Sequence, residues 1–337
     1  MSSPGAPLAS SSLAAPPGPS GSLAVGDGHV LHWAQAGDAG GLPALVLHGG
    51  PGSCHSPALW RFFDLAHYRV TGFDQRGCGR STPCGSTRHN TTAHLIADIE
   101  ALRRHLGVDR WLVVGGSWGA TLALAYACRH PGALSGLLLR GLFVPSPDEL
   151  HGFFQGAAAR HPQAWARFAA PAPADRRAQL LPWLAELFAG SDVALQLRAT
   201  IAWRAWEHAL AGLPPPPEPT GDALQQALDR YRVMAHYLAH GCWIGAQQGA
   251  AGWGDAAGLA GLPIQFLHGS RDEVCGLAAA RAVQQGLPGS RWCEVPGAGH
   301  DPFHPAMAAR MAQALAGFAA RGRFPESLGP EERGAPA

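Results

Sequence analysis

The stretch Trp111-Leu112-Val113-Val114-Gly115-Gly116-Ser117-Trp118-Gly119, followed by Ala120-Thr121-Leu122-Ala123-Leu124-Ala125-Tyr126-Ala127-Cys128, decides the fold. Its first four residues are an unbroken apolar run that leaves through glycines, as a strand buried on both faces does. Residues Ala120 to Cys128 are small and apolar and stop at His130-Pro131, so they read as a helix. Between the two lies G-x-S-x-G, with a strand before it and a helix after it, the context that gives this pattern chemical meaning. A serine held on so tight a turn has strained backbone angles, and a bulky neighbour two residues away would clash. The helix N-terminus beneath Ser117 favours negative charge that develops during nucleophilic attack. The bland alternative, a glycine-rich turn with an incidental serine, leaves that flanking pattern without a purpose.

Working outward, Ala44-Leu45-Val46-Leu47 and Ile264-Gln265-Phe266-Leu267 are two more short apolar runs with glycine-rich exits, and Arg69 to Phe73, ending at Asp74, reads as another strand. Trp292 to Pro296 reads as the last. A helix is expected from Thr91 to Leu106, with apolar Leu95, Ile96, Ile99, Leu102 and Leu106 on one face. Asn90, Thr91 and Thr92 offer side chains for its N-cap and Gly107 its C-terminal stop. Strands alternating with helices imply an open, mostly parallel sheet covered on both faces.

From about Pro145 to Trp253 strand signals vanish. Helical spacing appears at Pro182–Phe188, Ala194–His208 and Leu224–Leu238, with a proline-rich run at Pro214–Pro219. This reads as a helical insertion between the sixth and seventh strands. The division expected is a disordered tail at 1–22, a core of 23–144 and 256–322, a helical cap at 145–255 and a loose tail at 323–337.

Composition narrows the chemistry. Among 337 residues there is no lysine, which removes Schiff-base chemistry, the P-loop lysine and Ser–Lys dyads. A serine nucleophile here needs histidine. A net charge of +1 gives no field to attract nucleic acid or an anionic membrane. Seven cysteines, an odd number with no C-x-x-C pair, suggest free thiols rather than disulfides or a zinc knuckle. No run of about 18 apolar residues suggests a membrane span, and the Pro/Ser-rich start lacks the basic region of a signal peptide. A cytoplasmic location is expected, with no metal and no organic cofactor.

The remaining catalytic candidates follow chain order: serine, acid, histidine. The strand ending at Leu267 runs into His268-Gly269-Ser270-Arg271-Asp272-Glu273, which makes Asp272 the candidate acid and Glu273 its neighbouring rival. The last strand leads into Gly297-Ala298-Gly299-His300, the candidate base, with His304 as competitor. His48-Gly49-Gly50-Pro51-Gly52 follows the strand ending at Leu47. Its glycines let backbone N–H groups approach a substrate oxygen, so the N–H of Gly50 and that of Trp118 are the candidate oxyanion donors. A cis Gly50–Pro51 bond fits such a loop, and His48 is read as structural.

Together these motifs, with Asp74-Gln75-Arg76-Gly77-Cys78-Gly79-Arg80-Ser81, resemble those of the prolyl aminopeptidases (proline iminopeptidases), serine peptidases of the α/β-hydrolase fold. The resemblance spans roughly residues 23 to 320. Leu137 to Phe143 is similar to the family's stretch after the sixth strand. The resemblance implies an eight-stranded, mostly parallel sheet, a helical cap over the site and release of N-terminal proline from a short peptide or small-molecule substrate. It also implies that Glu207, in Trp203-Arg204-Ala205-Trp206-Glu207, binds the substrate ammonium. Phe143, with Phe153 or Phe154, would line the proline pocket, and Arg140 would contact substrate. On spacing alone, Trp203 and Trp206 read as cap core. The chain departs from the family at Met234, where a second acidic residue is expected. That departure leaves room for an esterase, amidase or lactonase of the same fold.

Overall fold

The computed structural model describes residues 18–245, 253 and 256–329. Among them, eight strands form one sheet in the order β1-β2-β4-β3-β5-β6-β7-β8. They are β1 (Ser20–Gly26), β2 (His29–Gly37), β3 (Leu42–Leu47), β4 (Tyr68–Phe73), β5 (Trp111–Gly116), β6 (Leu134–Arg140), β7 (Ile264–Gly269) and β8 (Arg291–Val295). The first two pairings, β1 with β2 and β2 with β4, are antiparallel, and the rest are parallel.

Strand periodicity divides the core into two layers. Ala44 and Val46 of β3, with Leu112 and Val114 of β5, face Met307, Met311, Leu315 and Phe318 of helix α9 (Pro305–Arg321). Leu45, Leu47, Trp111 and Val113 face the other way, toward Leu95, Ile99 and Leu102 of α1 (Thr92–His105) and the small residues of α2 (Trp118–Arg129). Both faces of the central strands are therefore apolar, which is why they read as continuous hydrophobic runs rather than as alternations. Gly107, at φ +62°, ends α1 in the left-handed region as expected. At the other end Thr91 occupies the N-cap without a side-chain cap bond, and its Oγ1 instead meets His94 Nδ1 at 2.8 Å.

Between β6 and β7 the described residues form five α-helices: α3 (Pro147–Phe154), α4 (Pro162–Ala169), α5 (Leu180–Ala189), α6 (Val193–Leu210) and α7 (Gly221–Ala239). They enclose an aromatic cluster of Phe154, Phe168, Phe188, Trp203, Trp206 and Tyr231, with the Phe168 and Trp206 rings stacked at 5.7 Å. Full burial of each such side chain stabilises by roughly 2–3 kcal/mol. Helix α8 (Leu277–Gln285) follows β7.

Three expectations are corrected. Residues 20–22 are not part of a tail: Ser20 to Gly26 pairs with β2, with Leu23 opposite Leu31. Residues 1–17 lie outside the described residues. Leu137 to Arg140 is not beyond the sixth strand but inside it. The segment after residue 322 is not loose where it is described. Phe324 is buried against Phe318, its carbonyl accepts from Arg291 Nη1, and the Gly329 carbonyl accepts from Gln313 Nε2 and Arg310 Nη1. The apolar face of α9 continues into this segment, a register that short-range composition does not reveal. The expected end of the cap, residues 246–252, 254 and 255, lies outside the described residues.

Candidate active site

Ser117 stands at the turn from β5 into α2 with φ +57° and ψ −126°, a conformation that non-glycine residues rarely adopt. The surrounding glycines are sterically required. A Cβ on Gly115 would lie 2.2 Å from Gly119 O, one on Gly119 would lie 2.2 Å from Leu47 O, and one on Gly116 would lie 2.3 Å from Arg140 Nη2. The Ser117 N–H donates to the Arg140 carbonyl at 2.9 Å, which ties the turn to the end of β6.

The other two candidates come together from loops 28 residues apart, with His300 Nδ1 and Asp272 Oδ2 separated by 2.7 Å. Asp272 Oδ1 accepts from the N–H groups of Val274 and Cys275 at 3.0 and 2.9 Å. Burial would raise the Asp272 pKa, but the His300 charge, the His300 hydrogen bond and the Cys275 N–H outweigh it and hold the carboxyl at about 2. An ionised Asp272 fixes the proton of His300 on Nδ1 and leaves Nε2 as the basic nitrogen. Glu273 turns the other way, to His161 Nε2 at 2.8 Å and Arg160 Nε at 3.1 Å. His304 caps α9 and does not line the cavity that holds Ser117 and His300.

That cavity has a volume of about 300 Å³ and lies between the sheet edge and the helices that precede β7. The Ser117 hydroxyl makes a side-chain contact with Cys275 Sγ at 3.9 Å, and among the described residues it is not hydrogen-bonded to His300. Bonds of this kind commonly tighten only once substrate fills the site.

Gly49 and Gly50 form the wall beside Ser117. The Gly50–Pro51 peptide is cis, and Gly50 has φ +118°. Trp118 is the first residue of α2, so its N–H belongs to the unpaired first turn of that helix. His48 is buried and structural in its contacts. Its Nε2 accepts from the Gln75 N–H at 3.0 Å, so Nδ1 carries the proton and donates to Gly49 O at 2.9 Å.

Gln75 was not singled out by sequence reasoning. Its amide spans the site: Nε2 donates to the His48 carbonyl at 3.0 Å, and Oε1 accepts from Trp118 Nε1 at 2.9 Å. One side chain thus ties the His48–Gly52 loop to the residue after Ser117. The neighbours of Gln75 serve the scaffold. Arg76 forms a bidentate pair with Asp98, with Nε at 2.7 Å and Nη2 at 2.9 Å. Asp74 accepts from the N–H groups of His55 and Arg80. The one signal in the sequence was membership of the Asp74–Ser81 motif, which marks the segment without singling out Gln75.

The five helices close the cavity on the far side. Arg204, Glu207, His208 and Ala211 line it from α6 and the residue just after it, and Arg230, Met234 and Leu238 line it from α7. Both sets follow helical spacing. Trp203 and Trp206 are fully buried and face the aromatic cluster, so Glu207, about 100° further round the helix, faces the cavity. Phe143 and Phe153 line it, as does Phe154. Arg140 lines it too, but its Nη1 donates to the His300 carbonyl at 2.8 Å, so it also braces the histidine loop. Glu149, another residue the sequence did not mark, reaches from α3 to accept from Gly276 N at 2.7 Å and pins the cap to the Asp272 loop. The Pro214–Pro219 segment lies along α6, where the Pro214 carbonyl meets His208 Nδ1 at 3.0 Å and the Pro217 carbonyl accepts from Arg204 Nη1 at 2.5 Å.

Away from this cavity, Asp27, His89 and His94 bring one ligand atom each within 4.8 Å of one another, a grouping that linear spacing did not reveal. Asp27 already pairs with Arg76 at 3.2 Å, a cation that opposes a metal ion there. No helix among the described residues is long and apolar enough to cross a membrane.

Residues 43–306 match the family model for the alpha/beta hydrolase fold. A proline iminopeptidase of Xanthomonas citri is 40% identical over 302 residues, covering 89% of this chain and 96% of that protein. The chain belongs to the proline iminopeptidase family of α/β hydrolases. Another member, from Neisseria meningitidis, is 36% identical over 88% of this chain and 94% of its own length. Among solved structures, proline iminopeptidase of Mycobacterium smegmatis superimposes with a TM-score of 0.58 at 23% identity, covering 90% of this chain and 99% of that one. An esterase from Rhodococcus gives 0.56 at 23% identity, with 90% and 98% covered. At that identity both structural likenesses speak to fold alone.

Proposed function

We propose that this chain is a serine aminopeptidase that releases N-terminal proline from short peptides, with Ser117 as nucleophile, His300 as general base and Asp272 as the acid that orients it. The observation that carries this reading is the 2.7 Å bond between Asp272 and His300 at the wall of the cavity that holds strained Ser117. The 40% identity to the Xanthomonas citri relative supports the substrate class.

The chemistry follows from the geometry. Nε2 of His300 takes the Ser117 hydroxyl proton as Oγ bonds to the scissile carbonyl carbon. The carbonyl electrons move onto its oxygen, which the N–H groups of Gly50 and Trp118 receive. Collapse expels the peptide amine, and His300 returns the proton to it. Water, deprotonated by His300, then attacks the acyl carbon and frees proline and Ser117. Phe143 and Phe153 give an apolar wall suited to a saturated ring, and Glu207 faces the cavity where the proline ammonium would lie.

A second reading, an esterase or amidase with a changed acyl preference, has one specific observation in its favour. The Glu207 carboxylate is already bonded to Arg230, and Met234 offers no charge. Turnover of prolyl-p-nitroanilide by the native chain, by Ser117→Ala and by Glu207→Gln separates the two. The first reading expects native turnover, none for Ser117→Ala, and about a tenfold rise in KM for Glu207→Gln. Intact prolyl-anilide turnover in Glu207→Gln removes the amine-binding role. Cleavage of simple p-nitrophenyl esters without any anilide turnover selects the second reading.

A further inference from the structure

The loop that carries Asp272 presents three consecutive backbone N–H groups, and they divide between two carboxylates. Those of Val274 and Cys275 donate to Asp272 Oδ1 at 3.0 and 2.9 Å, and that of Gly276 donates to Glu149 Oε2 at 2.7 Å. Gly276 is the N-cap of α8, so both carboxylates lie beside one helix N-terminus, where negative charge is favoured. Burial raises the Glu149 carboxyl above its ordinary range against the opposing pull of the Gly276 N–H, and the charge of Asp272 raises it further. The two carboxylates are thus within electrostatic reach of each other.

Two features show that the Glu149 side chain is committed to this contact. The first is a capping box left half made. Ser146-Pro147-Asp148-Glu149 has the S-x-x-E spacing in which the glutamate returns to the serine N–H. Ser146 Oγ does accept from the Glu149 N–H at 3.2 Å, but the Ser146 N–H donates to the Val144 carbonyl at 2.8 Å, and the Glu149 carboxylate leaves its own helix for Gly276. The second is the glycine itself. Gly276 has φ −63° and ψ 121°, angles open to any residue, so its backbone does not call for glycine. Space does: a Cβ there would lie 2.3 Å from Glu149 Oε1.

Leu150 and Phe153 of the same helix line the cavity, whereas Glu149 does not, so its carboxylate is no substrate contact. The cap has a second tie to this loop. Glu273 reaches His161 and Arg160, a more exposed cluster that engages none of the N–H groups on Asp272.

We propose that Glu149 is a positioning residue for the reaction: by holding the Gly276 N–H it fixes the turn whose two preceding N–H groups orient Asp272, and so the alignment of His300 depends on a carboxylate supplied by the cap. This rests on the reading of Asp272 as the triad acid.

The test measures kcat and KM with prolyl-p-nitroanilide for the native chain, Glu149→Ala, Glu149→Gln, Gly276→Ala, Glu273→Gln and Asp272→Asn. A p-nitrophenyl ester takes its place should the anilide resist, so the result does not hang on the peptidase assignment. Glu149→Ala is expected to lower kcat about 10- to 30-fold, with KM within about twofold of native. Gly276→Ala keeps the carboxylate but denies its approach. It gives a similar loss, and it decides the matter should Glu149→Ala fold poorly. Glu149→Gln, whose amide oxygen still accepts from the Gly276 N–H, recovers kcat to within about threefold of native. Glu273→Gln stays within about twofold, which separates positioning of Asp272 from loss of any cap contact. In the Asp272→Asn background Glu149→Ala costs less than about twofold more, because its effect passes through Asp272. Native kcat in both Glu149→Ala and Gly276→Ala overturns the proposal. So does an equal loss in Glu273→Gln, or a full further loss in the Asp272→Asn background. Native kcat in Asp272→Asn alone removes the triad reading as well, whereas a crippled Asp272→Asn beside unaffected Glu149 variants removes the role of Glu149 only.

Discussion

The loops at the sheet edge and the cap wall opposite them contribute to one cavity in different ways. At the sheet edge, backbone constraint dominates. Ser117 holds a positive φ, the flanking glycines have no room for a Cβ, and Asp272 receives two backbone N–H groups and the His300 ring. On the cap wall, side chains from two different helices meet. Glu207 of α6 is bonded to Arg230 and Tyr231 of α7, and which charge faces the substrate depends on how α6 packs against α7. Reaction chemistry built on backbone geometry is hard to alter piecemeal, whereas a preference built on side-chain pairs can change with one substitution.

That division can be broken by experiment. Variants at the sheet edge are expected to lower kcat and those on the cap wall to move KM. The largest effect is expected from Ser117→Ala, with kcat reduced by about 10⁵-fold or more and the thermal midpoint little changed. Residual burst kinetics with a chromogenic ester in that variant would mean that another group carries the acyl intermediate.

Asp272→Asn comes next, with kcat down about 10⁴-fold because the amide no longer selects the Nδ1–H tautomer of His300. The same variant has a stability signature. The Asp272 pKa is lowered from 3.8 to about 2 on folding, so its contribution, about 2 kcal/mol, is complete above the unfolded value and disappears as pH falls toward the folded one. Urea midpoints should therefore drop between about pH 4 and about pH 2 in the native chain, and drop less in the variant.

Gln75→Met strips Trp118 Nε1 and the His48 carbonyl of their shared partner. A fall in kcat of roughly 10- to 100-fold is expected, together with a loss of about 2 kcal/mol in stability. A change confined to KM would place Gln75 with the cap wall instead. The smallest effect is on that wall: Phe143→Ala should raise KM for prolyl-p-nitroanilide about five- to tenfold, through lost apolar contact, with kcat within about twofold. A kcat loss as large as that of Gln75→Met would erase the distinction between the two regions.

Much of the sheet edge was legible because its signals are local. Gly115 to Gly119, His48 to Gly52 and Gly297 to His300 each carry their turn chemistry within five residues, next to apolar runs that mark buried strands. Asp272 was separable from Glu273 only by position in the motif. Geometry settles which of them meets His300, because the strand exit turns adjacent side chains apart. Strands β1 and β6 and the packed segment after α9 were misplaced. The half-exposed edge strand β1 lacks a continuous apolar run, the buried Leu137–Leu139 run of β6 was placed after the strand it belongs to, and Phe324 finds its burial against a helix rather than in its own neighbourhood.

The sequence by itself determined the layered α/β core and the serine, acid and histidine candidates, because a tight turn restricts which residues can follow one another. Tertiary structure alone decided what faces the Glu207 carboxylate. Arg230 lies 23 residues away in the chain, and only the docking of α7 against α6 brings its guanidinium within 3.0 Å. No periodicity or local motif encodes that meeting, since it arises from packing between two helices whose own patterns specify only which face is apolar.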